Sequence, residues 1–146
     1  MFHIKKILLI ITISFITSSS FATKYELTNP INVAKTSYEL GMKFMYDELK
    51  TISCDDISNS LHIAENQAEK AIQLFKNNGI DFNKDVEYDF SFIQYKLINK
   101  NEKGALVNVY GNYTIKAKDK YEKKTNVDNS IVLKKIDSDY YFCGMK

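Results

Sequence analysis

The chain has no arginine and no tryptophan, and it has one proline, five glycines and two cysteines among its 146 residues. Arginine is the side chain that binds phosphate through paired hydrogen bonds, so its absence argues against nucleic-acid recognition. The formal net charge of +2 does not indicate nucleic-acid binding either. Lys5 and Lys6 account for it, since the chain after residue 22 has 18 lysines and 18 acidic residues. We therefore expect no nucleic-acid partner.

Recognisable catalytic and metal-binding motifs are also missing. There is no G-x-S-x-G sequence, no phosphate-binding glycine loop, no C-x-x-C pair and no zinc-ligand set. One histidine, His62, follows residue 22, and the helical pattern around it places it on an exposed face. We expect no catalytic residue, no metal and no cofactor. A tyrosine and aspartate site stays open, because ten tyrosines allow many pairings.

The first 22 residues have the order of a secretory signal peptide. Lys5 and Lys6 precede an apolar run from Ile7 to Ile16, and small polar residues lead to Ala22. A membrane-spanning helix needs about 20 apolar residues, which this run does not supply. We predict cleavage after Ala22, one domain over residues 23–146, and a mature protein that is exported to a periplasm or secreted, with no membrane attachment. The lysine-, isoleucine- and asparagine-rich composition is typical of an AT-rich, bacterial genome.

Export to an oxidising compartment would favour a disulfide between the two cysteines. In an oxidising compartment a pair of cysteines is more often bonded than free, and two cysteines allow one intramolecular pairing. We predict a disulfide between Cys54 and Cys143.

The chain divides into a helical half and a strand half. Asn29 and Pro30 are typical of a helix start, and apolar residues recur at helical spacing from Ile31 to Ile52, with a second apolar stripe on the opposite side. A second helix follows Asp55 and Asp56, which we interpret as caps, and stops at Gly79; its predicted core stripe is Ile57, Leu61, Ala64, Ala68, Ile72 and Phe75.

After Gly79 the apolar pattern alternates, as in β-strands. It slips by one residue between Phe92 and Ile93, which indicates a bulge. Three further strands follow, and the odd positions from Ala105 to Ile115 form the more apolar face of the first of these. We predict an α+β domain in which two N-terminal helices precede a curved, mainly antiparallel four-stranded sheet that wraps around helix one.

Two segments, "NEKGALVNVYGNYTIK" and "SIVLKKIDSDYYFCGM", resemble a known family. They are similar to the strand pair and terminal strand of small secreted members of the nuclear-transport-factor-two-like, cystatin-like cone superfamily, and the resemblance runs from Asn29 to Met145. It implies a helix enclosed by a curled sheet. The superfamily includes isomerases and dehydratases that use the interior of the cone, alongside non-catalytic binding domains. None of its catalytic sets matches residue by residue, so none is transferred.

The predicted disulfide indicates which side chains of the last strand face the helices. If Cys143 faces the helices, alternation places Tyr141 and Met145 inside and turns Tyr140 and Phe142 outward. The predicted binding surface is an outer-face patch made of Leu106, Tyr110, Val132, Tyr140 and Phe142. We expect a non-catalytic domain that binds a protein, as a homodimer, an inhibitor or an immunity-type protein. The alternative is a small-molecule carrier or an isomerase-like enzyme that uses the cone interior.

Overall fold

The computed structural model describes residues 24–146, so the predicted signal peptide lies outside the described residues. Helices come first and strands second, as the sequence pattern predicts. The helices are α1 (Pro30–Met42), α2 (Tyr46–Thr51), α3 (Ser58–Asn77) and α4 (Phe82–Asp85), and the strands are β1 (Val86–Asp89), β2 (Ile93–Asn101), β3 (Gly104–Ala117), β4 (Tyr121–Ile136) and β5 (Asp139–Met145). None of these helices is long and apolar enough to span a bilayer.

Helix α1 begins as predicted. The side chain of Asn29 accepts hydrogen bonds from the backbone amides of Ile31, at 2.9 Å, and Asn32, and Pro30 occupies the first helical position. These bonds satisfy amides that have no partner within the helix.

The predicted first helix is divided in two, with a break between α1 and α2. The amide of Met45 donates to the carbonyl of Leu40 at 2.9 Å, and the amide of Phe44 donates to the carbonyl of Gly41 at 3.1 Å. Phe44 lies in the left-handed region, at φ 59°. This is the Schellman ending of a helix, here with a phenylalanine where glycine is usual. The Phe44 ring stacks on Phe82 at a centroid distance of 5.0 Å, and this contact offsets the backbone cost of about 1–2 kcal/mol.

The start of α3 differs from the prediction. Asp55 and Asp56 lie in a single 3₁₀ turn before the helix, and neither caps it. Asp56 instead pairs with Lys134 at 3.3 Å, on the sheet. Gly79, at φ 74°, follows the end of the helix as expected.

The sheet is antiparallel, and β1 and β2 both pair with the same edge of β3. It is therefore four strands wide, in the order β1 or β2, then β3, β4 and β5. Asp89 pairs with Thr114 and Ile93 pairs with Gly111, so an advance of four residues on one side matches an advance of three on β3. The extra residue confirms the predicted one-residue bulge. Gly111 has φ 117°, and a side chain there would overlap the Phe92 carbonyl.

The sheet curls around α1, and the core lies between them. The odd positions of β3 face this core, which confirms the predicted inner face of that strand. The buried side chains that fill it include Val33, Ala34, Tyr38, Leu49, Ile52, Val107, Val109 and Ile131. Helix one thus has apolar residues on two sides because it is covered on more than one side.

The outer edge of β5 is covered by two segments from the first half of the chain. The amide of Phe142 donates to the carbonyl of Ile52, and the amide of Cys54 donates to the carbonyl of Phe142, each at 2.8 Å. Farther along β5, the amide of Tyr140 donates to the carbonyl of Leu27, also at 2.8 Å. These bonds satisfy edge groups that would otherwise be open to pairing with another chain.

The structure joins Cys54 to Cys143, which confirms the predicted pairing. Their Cα atoms lie 5.4 Å apart, and the sequence separation is 89 residues. Cys54 is buried, so the bond lies inside the junction between the helical layer and the sheet edge.

Candidate functional site

The predicted outer patch is not one surface. Leu106, Tyr110 and Val132 lie on the outer face as expected, and Leu106 pairs directly with Val132. Tyr140 is only 1% exposed and belongs to the core, so its predicted outward position is wrong. Phe142 pairs with the inward-facing Leu133, so it too lies on the inner face.

The bulge in β5 explains this error. Cys143 and Gly144 together oppose a single residue of β4, Val132, and Gly144 has φ 123°. Simple alternation therefore fails at the cysteine. Cys143 reaches Cys54 sideways, because residues 52–54 lie beside β5 at the sheet edge. Tyr141, predicted inside, pairs with Lys134 on the outer face.

An apolar cleft of about 470 Å³ lies between the helices and the end of β5. Helix α1 contributes one wall, α2 and the first two turns of α3 a second, and the strands β4 and β5 the third. The lining residues are Ser37, Tyr38, Gly41, Met42, Tyr46, Leu49, Ile57, Ser60, Leu61, Ala64, Ile131, Phe142, Gly144 and Met145. Ser60 and Met145 are exposed, so the cleft is open to solvent beside them.

The cleft has a few hydroxyl groups and no charged side chain. The hydroxyl of Ser37 is already committed, since it donates to the Ala34 carbonyl at 3.0 Å. Burial raises the pKa of Tyr38 to about 12, and burial with the nearby carboxylate of Glu65 raises the pKa of Tyr46. Both phenols are therefore neutral at physiological pH. The Tyr38 ring packs against Phe90 and Tyr95, outside the cleft, so Tyr46 is the better placed phenol for hydrogen bonding to a ligand.

Four other clefts are different in character, because each contains lysine or carboxylate side chains. The cleft beside α4 has Asp85 and Lys118, which form an ion pair at 3.0 Å. The cleft between α2 and α3 is lined by Glu48, Glu65 and other acids. The absence of charge thus sets the cleft at β5 apart from these neighbours, and we call it the uncharged cleft.

The strongest catalytic candidate is a smaller cleft of about 330 Å³ that contains Tyr95, Glu39 and Lys35. The hydroxyl of Tyr95 is buried and has no hydrogen-bond partner. Burial, and secondarily the charge of Glu39, raises the pKa of Tyr95. A general base at neutral pH works best with a pKa near 7, so this shift leaves too little phenolate for Tyr95 to act as one.

His62 lies on the exposed face of α3, as the sequence predicts. Its ring is 3.7 Å from the carboxylate of Glu65 and 3.5 Å from the amide of Asn66. The described residues contain no group of three or more histidine, cysteine or acidic side chains placed to hold a metal ion.

Sequence reasoning assigned several lining residues of the uncharged cleft, such as Leu61 and Ala64, to the core, and it placed Phe142 on the outer face. Gly41 and Ala64 carried the available signal, since small residues in two facing helical segments leave room between them. A Cβ added at Gly41 would meet the Leu49 side chain at 3.7 Å, an ordinary contact, so this position has room for a small side chain.

Comparison of the chain with protein-family models, with curated proteins and with solved structures found no match.

Proposed function

We propose that this protein is an exported, non-catalytic binding domain whose recognition site is the uncharged cleft. The observation that carries the proposal is a space of about 470 Å³ with an almost entirely apolar lining and a few hydroxyl groups. Binding sites for small molecules have this volume and this chemistry. The cleft lining offers no carboxylate, imidazole or amine for proton transfer, which favours binding over acid–base catalysis.

Export is supported by the predicted signal peptide and by the disulfide pairing of Cys54 with Cys143. A curled sheet around a helix is also the arrangement that the resemblance to the cystatin-like cone superfamily implies, and that superfamily includes non-catalytic binding domains. Recovery of secreted or periplasmic protein with an intact mass that begins near Thr23 would agree with export. A membrane-bound protein that retains residues 1–22 would contradict it.

Protein binding through the outer sheet face is the second candidate function. Of the five residues predicted for that patch, Leu106, Tyr110 and Val132 lie on the outer face. Leu106 and Val132 are paired there, but the polar Asn108 lies between Leu106 and Tyr110 along β3 and contacts Asp128. An interrupted apolar surface is a weaker protein-binding feature than a continuous one. We therefore prefer the cleft.

The test uses N-phenyl-1-naphthylamine, a neutral dye whose fluorescence rises in apolar sites. We expect saturable binding by the oxidised protein. Ala64→Phe and Gly41→Leu place side chains into the cleft and should weaken dye binding at least tenfold. Ile63→Phe is the matched control, because Ile63 is on the same helix and 58% exposed. Equal binding by all four folded proteins would contradict the proposal.

A further inference from the structure

We infer that the ligand of the uncharged cleft is an electrically neutral, largely aliphatic or aromatic molecule with one hydrogen-bonding end. The inference rests on the proposed function and adds the ligand's chemical class. Its basis is the distribution of charge around the cleft, together with the size of the cleft and the position of its hydroxyl groups.

Charge argues against an ionic ligand. Moving an ion from water into an apolar site costs several kcal/mol unless an opposite charge compensates it. The cleft lining contains no lysine, histidine or acid to provide that charge. An anionic ligand therefore has no cationic group to pair with inside the cleft.

A carboxylate beside the cleft, that of Glu65, is already paired. Glu65 contacts Lys50 at 2.6 Å, and this contact is the main reason that the pKa of Glu65 is lowered. Glu65 itself does not line the cleft, but Tyr46 does. The charge of Glu65 contributes, after burial, to the raised pKa of Tyr46. Its pairing with Lys50 leaves Glu65 poorly placed to hold a cationic ligand.

Size and polarity define the rest of the molecule. A volume of about 470 Å³ equals the space of roughly 16 water molecules, which suits a medium-length chain or a two-ring compound. Ser60 is exposed at the mouth, and the Tyr46 ring is half-buried. A ligand hydroxyl or carbonyl that reaches either group would form a hydrogen bond while the apolar part packs against Phe142 and Leu61.

Three competitors with the same ten-carbon chain test the inference: 1-decanol, decanoate and decylammonium, each titrated against the bound neutral dye near pH 7.5. We expect decanol to displace the dye at concentrations at least tenfold lower than either ion. Ser60→Lys exchanges a hydroxyl for a cation at the mouth, so we expect it to strengthen decanoate about tenfold relative to decanol.

The outcomes separate the inference from the proposed function. Decanoate or decylammonium within tenfold of decanol, with displacement lost in Ala64→Phe, would overturn the neutral-ligand inference and leave the binding cleft intact. An unchanged ratio of decanoate to decanol in folded Ser60→Lys would also overturn it. Dye binding that Ala64→Phe does not weaken would overturn the proposed function, and the inference with it.

Discussion

Removal of the disulfide should lower the free energy of unfolding more than any other double substitution of small side chains in this protein. We consider the double variant Cys54→Ala with Cys143→Ala. The bond closes a loop with a sequence separation of 89 residues, for which the chain-entropy model gives about 4.6 kcal/mol at 25 °C. Measured losses in small secreted domains are typically about 2–5 kcal/mol, so we expect the free energy of unfolding to fall by about 3 kcal/mol or more.

The expected change in melting temperature follows from chain length. The described residues 24–146 should unfold with an entropy of about 0.26 kcal/mol/K, so a loss of about 3 kcal/mol lowers Tm by about 12 °C. Differential scanning calorimetry on the oxidised protein and the double variant measures this shift. Urea denaturation at 25 °C gives the corresponding free energies.

Reduced wild-type protein is the control for the lost sulfur atoms. It keeps both cysteine side chains but lacks the covalent bond, so its Tm should lie close to that of the double variant. If the oxidised and reduced proteins melt within about 3 °C of each other, the cross-link does not constrain the unfolded chain as the calculation assumes.

Three further changes have clear expected results. Gly111→Ala should cost about 3 kcal/mol in urea denaturation, because φ is 117° and the new methyl group meets a backbone carbonyl. Burial raises the pKa of Tyr38 and of Tyr88 to about 12. Their stabilising effect is complete below about pH 10, the pKa of an unfolded tyrosine, and is lost as pH rises through about 12, so absorbance at 295 nm should show their ionisation together with unfolding. The Asp81 amide, which donates to Asp85 at 2.7 Å, is the main cause of the lowered pKa of Asp85. This stabilisation exists above the unfolded pKa and is lost as pH falls through the folded pKa, so Asp85→Asn should make unfolding less sensitive to acid below about pH 4.

Each of these results has a control or a contrary outcome. Gly41→Ala is the matched control for the strand glycine, because its backbone is helical and the added carbon makes only an ordinary contact with Leu49. It should not destabilise the protein, and equal losses in both alanine variants would contradict the backbone argument. Ionisation of all ten tyrosines near pH 10 in the folded protein would contradict the burial argument. An Asp85→Asn variant with the wild-type acid profile would show that this carboxylate is not linked to folding.

Local sequence signals predicted the order of the elements well. The Asn29 cap with Pro30, the alternating pattern of β3 and the one-residue slip near Phe92 are all visible in short stretches of sequence. The break after α1 depends on a distant contact, the stacking of Phe44 on Phe82, which local helical spacing does not contain. For this reason the sequence pattern joined α1 and α2 into one helix.

The candidate site was much harder to predict. Residues that line a cleft between helices and a sheet have the same apolar spacing as residues that fill a core, so Leu61 and Ile131 give no separate signal. The outer patch failed at Tyr140 and Phe142 because it assumed strict alternation through a strand that contains a bulge. The Gly144 position was the visible warning, since glycine inside a strand often marks such a bulge.

The disulfide and the uncharged cleft belong to one structural unit. Cys143 lies between Phe142 and Gly144, which both line the cleft, and Cys54 holds this end of β5 beside the segment that leads into Ile57, another lining residue. The bond and the backbone hydrogen bonds between residues 52–54 and Phe142 therefore fix one wall of the cleft before any ligand arrives. A preformed wall reduces the conformational entropy lost on binding, so a ligand with few polar contacts can still bind the cleft with useful affinity.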